Sequence, residues 1–223
     1  MLFDLDDTLL DHRGAARDAL LAWSSSQRPV PDPDDRETRW TLLESKHYRW
    51  FQSGALTKEE QRRARVREFL APQVFSDSEA DDAFAEYWAA YVEAWRPFPD
   101  AVPALRRALG QGLAVGILTN GDAADQRRKV RATGLGELGI PVFASSELPA
   151  AKPDPRAFAA ACAALGAAPG ECLMIGDSLE NDIAGAQNAA MPAILLDRYG
   201  RHRGVSVQRV TSLDELRFDG PDR

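Results

Sequence analysis

The sequence predicts an α/β protein: a doubly wound, Rossmann-like parallel sheet core with an inserted all-helical domain. Three observations carry this. From Ala101 onward, short apolar runs alternate with stretches of helical periodicity, the pattern of parallel βαβ units. Residues 12–95 show helical periodicity alone, without strand-like alternation. The chain opens MLFDLDDTLL, a short apolar run that passes directly into Asp4, Asp6 and Asp7. A buried strand explains the apolar residues, and the carboxyl end of a strand in an open parallel sheet is where ligand-binding residues collect.

The elements follow in order. The first strand has only Met1-Leu2-Phe3 before its acids, short against a typical length of about 5–6 residues. The expectation is therefore a truncated start, with apolar residues restored upstream raising thermal stability. Helices are expected at 13–25, 34–51, 57–70 and 77–95. Thr57 and Glu60 have capping-box spacing, and Trp40, Leu43, His47 and Trp50 fall on one face of the second helix. All five tryptophans lie between residues 12 and 95, so the insertion is expected to have its own small core. The domain division is then 1–11 with 96–223 for the core and 12–95 for the helical insertion, with Pro97 and Pro99 as a stiff linker at the return. Strands are expected at 113–118, 142–144, 172–175 and 193–196, with a weaker one near 207–210. Helices between them are expected at 101–109, 123–132, 155–165 and 179–190. Asp154 before Pro155 is a side-chain cap followed by a residue whose missing N–H costs nothing at that position. The tail from Phe218 onward reads as frayed.

Composition narrows the function classes. A formal net charge of −7 disfavours a broad nucleic-acid or anionic-membrane surface. No apolar stretch approaches the roughly 18 residues of a membrane span, and no leader pattern precedes the first strand, so the expectation is a cytoplasmic protein without membrane or nucleic-acid partners. The two cysteines, Cys162 and Cys172, fall in an alanine-rich helix and an apolar strand, which favours buried thiols over a disulfide or a zinc site. The three histidines are scattered, so any metal is expected to be a hard ion bound through oxygen.

The strand ends carry the chemistry. The first delivers Asp4, Asp6 and Thr8, and the second ends ILTNG with Thr119 and Asn120. The third is followed by Lys152, and the fourth ends GDSLEND with Asp177 and Asp182. A carboxylate can attack phosphorus and split a difficult transfer into two easier steps. Magnesium would neutralise the repulsion among such acids and a phosphate. A hydroxyl, an amide N–H and a lysine supply donors for the equatorial oxygens of the transferring group. Taken singly, each signal has an ordinary reading: Asp7 as a turn or cap residue, Thr119-Asn120-Gly121 as a turn, Lys152 as a solvated loop lysine. The span from Asp177 to Asp182 faintly echoes a calcium loop but lacks its glycine at the sixth place. His47, Arg49, Trp50 and Arg39 read mainly as helix packing or solvated face.

In that order, DLDDT, ILTNG, KPDP and GDSLEND resemble the four motifs of the haloacid dehalogenase superfamily, in the subfamily with an α-helical cap after the first motif. The resemblance spans essentially the whole chain. It implies Asp4 as nucleophile and Asp6 as general acid, then base. It implies phosphate binding by Thr119, Asn120 and Lys152, with Lys152 also anchoring the nucleophile. A magnesium site would use Asp4, Asp177, Asp182 and Asp6, the last through its backbone carbonyl. Members that displace halide lack an acid two residues after the nucleophile, so Asp6 favours phosphoryl transfer. The expected function is a magnesium-dependent phosphatase acting on a small phosphorylated metabolite through an aspartyl-phosphate, the cap closing over the site. A phosphomutase on the same scaffold, a phospho-accepting receiver and a catalytically silent binding module are the rivals. Whether the chain is a monomer or a homodimer is not legible.

Overall fold

A computed structural model describes residues 1–25 and 35–218. The chain divides into two compact units, Met1–His12 with Trp95–Arg223, and Arg13–Ala94. The expected helix start at Asp34 and the tail beyond Phe218 lie outside the described residues.

The first unit is built on six parallel strands: β1 (Leu2–Phe3), β2 (Gly116–Thr119), β3 (Val142–Ala144), β4 (Met174–Gly176), β5 (Ala193–Leu196) and β6 (Arg209–Val210), in the order β3-β2-β1-β4-β5-β6. This is the doubly wound α/β arrangement, and β1 is central although it has two residues. Alternation along each strand separates two apolar layers. Leu2, Leu118 and Met174 pack on one side with Phe158, Ala161 and Cys162 of α7 (Pro155–Ala164). Phe3, Ile117 and Ile175 pack on the other with Ala104 and Leu105 of α5 (Ala101–Gly110). Burial on both faces is why these strands read as continuous apolar runs. Both cysteines are buried free thiols.

Several expected bounds hold to the residue, including α6 (Ala123–Ala132), β3 and β5. β2 begins later than expected because Leu113 still donates to Ala108 O in the turn that ends α5. The helix expected at 179–190 is two pieces. A wide turn, Leu179–Ala184, in which Ile183 N reaches back to Ser178 O, leads into α8 (Gly185–Asn188). The expected linker at Pro97 is instead paired: Leu10 and Pro97 form an antiparallel bridge, Asp11 N donates to Arg96 O, and Phe98 N donates to Leu9 O.

A buried ion pair braces the loop after β1. Arg198 donates to both oxygens of Asp100 at 2.8 and 2.9 Å and to Thr8 O at 2.8 Å, and its guanidinium lies 3.8 Å from the centre of the Phe98 ring. Asp100 also accepts from Ser212 Oγ and Leu213 N. Burial pushes the Asp100 carboxyl up, but these donors outweigh it and hold it below its ordinary value.

The second unit contains α1 (His12–Ser24), which begins one residue ahead of it, α2 (Arg36–Gln52), α3 (Lys58–Phe69) and α4 (Asp77–Glu93). Thr57–Glu60 and Ser76–Glu79 form reciprocal capping boxes at the starts of α3 and α4. The expected small core is aromatic. The Trp40 ring lies 5.3 Å from Trp23, 4.9 Å from Phe69 and 4.7 Å from Tyr87, centre to centre. One expectation is corrected: Trp40, Leu43 and His47 are buried, but Trp50 is 45% exposed. It sits near the end of α2 with its ring edge-on to His47 and the Lys46 ammonium over its face, so cation–π contact and not core burial covers it. Trp95 belongs to the first unit.

Candidate active site

The switch in strand order falls between β1 and β4, the place where the connections leaving two neighbouring strands diverge and open a crevice at their carboxyl ends. Asp4 follows β1 directly, its N–H bonded to Ile175 O at 2.9 Å. The chain then turns sharply. Asp7 adopts φ +61°, a left-handed conformation that aspartate tolerates better than most residues, and its N–H donates to Leu10 O at 2.7 Å. Asp7 is therefore the turn residue that follows Asp4 and Asp6.

Lys152 lies at the centre of one cluster. Its ammonium donates to Asp4 Oδ1 at 2.7 Å, Asp182 Oδ1 at 2.6 Å and Leu118 O at 3.0 Å, and all three side chains are buried. The backbone of Lys152 is fixed by Asn120, whose Oδ1 accepts from Lys152 N and whose Nδ2 donates to Lys152 O, both at 2.8 Å. Asn120 thus spends its side chain on aligning the lysine. Asp182 Oδ2 accepts from Ser178 N at 3.0 Å. It can lie there because position 176 is glycine: a Cβ at Gly176 would come within 2.7 Å of Asp182 Cβ. Burial pulls the Lys152 ammonium toward deprotonation, but the two carboxylates overcome it and hold it above its ordinary value. Burial dominates at Asp4, and with Asp182 and Asp6 nearby the carboxyl is pushed up to about 7 despite the lysine.

A second cluster surrounds Asp6. Lys129 donates to both its oxygens at 2.7 and 2.8 Å. Gln126 Nε2 donates to Thr119 Oγ1 at 2.6 Å and to Asn120 O at 3.1 Å, and lies 3.3 Å from Asp6 Oδ2. Burial raises the Asp6 carboxyl, but Lys129, His12 and the hydrogen bonds from Lys129 and Gln126 outweigh it and leave it at about 2. Both new residues come from α6, which Asp122 caps by accepting from Asp125 N. Gly121 makes the turn into it at φ +143°, where a side chain would also press on Gln126. Sequence reasoning missed Gln126 and Lys129. The available signal was the inward stripe Ala123, Gln126, Lys129 and Val130, which places two polar residues where an amphipathic helix normally buries apolar ones.

Asp4, Asp177 and Asp182 each offer a carboxylate oxygen, and the three lie within 4.8 Å of one another. Burial, then Asp4 and Asp182, push the Asp177 carboxyl up to about 8. An all-oxygen set in which burial and repulsion raise Asp4 and Asp177 suits a hard divalent cation. The Asp6 carboxylate is not in this group, because it is turned toward Lys129. The expected contribution of Asp6 to a metal is its backbone carbonyl, not this carboxylate.

Residues 1–190 match the family model of the haloacid dehalogenase-like hydrolases. Among curated proteins, the chain is 40% identical over 124 residues to phosphatase MT3486 of Mycobacterium tuberculosis, covering 55% of this chain and 56% of that one. It is 41% identical over 101 residues to the phosphoserine phosphatase of Thermus thermophilus, covering 45% of this chain and 41% of the other. The chain thus spans about half the length of the curated relatives it matches. Among solved structures, the HAD-hydrolase YfnB of Bacillus subtilis superposes with a TM-score of 0.80 at 24% identity, covering 96% of this chain and 94% of that one.

Proposed function

We propose, from the premise that this chain belongs to the haloacid dehalogenase-like hydrolases, that it is a magnesium-dependent phosphatase acting on a small phosphorylated metabolite through an aspartyl-phosphate. The observation that carries the reading is the convergence of Asp4, Lys152 and Asp182 on one side of the switch point with Asp6 and Thr119 beside them. The curated relatives include phosphatases of small esters, phosphoserine among them.

A free oxygen of Asp4 attacks phosphorus as the bond to the leaving oxygen breaks, and that oxygen takes a proton from Asp6, which Lys129 holds ionised here and which therefore acquires the proton from the phosphate monoanion as substrate binds. Asp6, then ionised, accepts a proton from water, whose oxygen attacks phosphorus and breaks its bond to Asp4. Inorganic phosphate leaves and the carboxylate is restored. Lys152 holds Asp4 in place and donates to the phosphate, and the Thr119 hydroxyl donates to a second equatorial oxygen, where charge is concentrated. Magnesium on Asp4, Asp177, Asp182 and the Asp6 carbonyl would supply the positive charge that lets carboxylate and phosphate approach. The helical insertion is the segment we assign to selecting the leaving group.

The test is hydrolysis of p-nitrophenyl phosphate with and without magnesium. Wild type is expected to need the metal, and Asp4→Asn to be inactive. Wild-type turnover in Asp4→Asn removes the mechanism.

A further inference from the structure

We propose that Gln126 and Lys129 are positioning residues of this reaction, one turn of α6 that aims the Thr119 hydroxyl at the incoming phosphate and holds the Asp6 carboxylate beside it. The inference rests on the phosphatase reading and extends it to residues outside the four motifs.

The argument begins with hydrogen count. A threonine hydroxyl has one hydrogen to donate and lone pairs to accept with. The Gln126 amide donates into Thr119 Oγ1 at 2.6 Å, so a lone pair is occupied and the hydroxyl is left as a donor. Among the described residues the hydroxyl donates to Asn120 O at 3.5 Å, a distance at which little is lost by turning to a nearer anion. A hydroxyl that already accepts a hydrogen bond is polarised into a stronger donor. Gln126 is itself fixed by Asn120 O at 3.1 Å, the residue that also clamps the backbone of Lys152.

Lys129 completes the arrangement. Its ammonium meets both oxygens of Asp6, which sets the plane of the carboxylate as well as its position. Both α6 side chains are buried, Gln126 at 3% and Lys129 at 6% exposure, although each is of a type that ordinarily faces water. Their spacing of three residues brings them to one helix face. Of the two motif residues that receive them, Asp6 lies in the loop after β1 and Thr119 ends β2, so α6 ties together the exits of two strands.

The experiment uses steady-state kinetics on the full chain. For Gln126→Met, KM for p-nitrophenyl phosphate and the inhibition constant of inorganic phosphate should rise together by roughly tenfold, with a smaller change in kcat, as for other supports of a binding residue. In a Thr119→Val background the same substitution should add nothing. Lys129→Met should change the rates on an alkyl phosphate, whose leaving oxygen needs a proton, and on p-nitrophenyl phosphate, whose leaving group does not, by clearly different factors. A merely structural role would slow both substrates alike. Additive losses in Gln126→Met/Thr119→Val, with equal losses on the two substrates in Lys129→Met, overturn the proposal. If Lys129→Met does not fold, the Gln126 and Thr119 cycle decides alone. An inactive wild type would instead defeat the phosphatase reading, whereas an active wild type with unaltered α6 variants defeats this inference only.

Discussion

Replacing Lys152 by methionine isolates the electrostatics of the site. The substitution keeps the length of the stem and leaves the Asn120 clamp untouched, because that clamp uses only the lysine backbone. It removes the cation between Asp4 and Asp182, at 2.7 and 2.6 Å, and strands two buried carboxylates. Breaking a buried pair by deleting one partner costs about 3–5 kcal/mol. The cost should depend on pH with a definite sign. Asp4 is already held at about 7 with the lysine present, far above its ordinary 3.8, and loses its main stabilising charge when Lys152 goes. From about pH 4 upward the folded variant then binds more protons than the unfolded chain, so its stability falls as pH rises. At pH 5 Asp4 carries its proton in both proteins, and much of the deficit disappears. Urea unfolding in chelator, followed by far-ultraviolet circular dichroism at pH 5 and pH 8, measures this directly. A variant as stable as wild type at pH 8, or a deficit equal at the two pH values, would refute the reasoning.

Other expectations follow from the same geometry. Metal-free wild type should itself lose stability between pH 4 and 8 as Asp4 and Asp177, held at about 7 and about 8, are forced to ionise. Asp177→Asn should flatten that slope, and magnesium should raise the melting temperature more at pH 8 than at pH 5.5 in wild type only. Gly176→Ala should cost roughly 1–3 kcal/mol and most of the activity, since the new methyl displaces Asp182; a wild-type melting curve with full turnover contradicts it. Thr57→Ala should cost about 1 kcal/mol in thermal unfolding through the lost cap of α3, with phosphatase activity unchanged.

The fold was legible where pattern and packing coincide. β3, β5 and α6 appear at their expected bounds because apolar runs with two buried faces and a capped helix leave few alternatives. The wide turn at Leu179–Ala184 was not legible: LENDIA has ordinary helical composition, and its opening by one residue is visible only as Ile183 N reaching Ser178 O. Trp50 was misjudged because spacing gives a face but not where packing on that face ends. At the site, motif order was enough to indicate which strand ends matter. It could not show that Asn120 spends its side chain on Lys152, or that Asp6 faces a lysine 123 residues away. Those partners are set by tertiary approach, and RRKV in isolation reads as a solvated basic run.

The bridge between Leu10 and Pro97 has a topological consequence. With Asp11 bonded to Arg96 and Leu9 to Phe98, the first unit closes its own neck, and from the sheet's side everything from residue 13 to 94 is the loop of one hairpin. The entropy of joining that loop's ends grows only slowly with its length. The closure entropy charged to the sheet is therefore nearly the same whatever the length of the segment. Exchanging the whole helical segment for a short glycine-serine turn should leave the strand order intact.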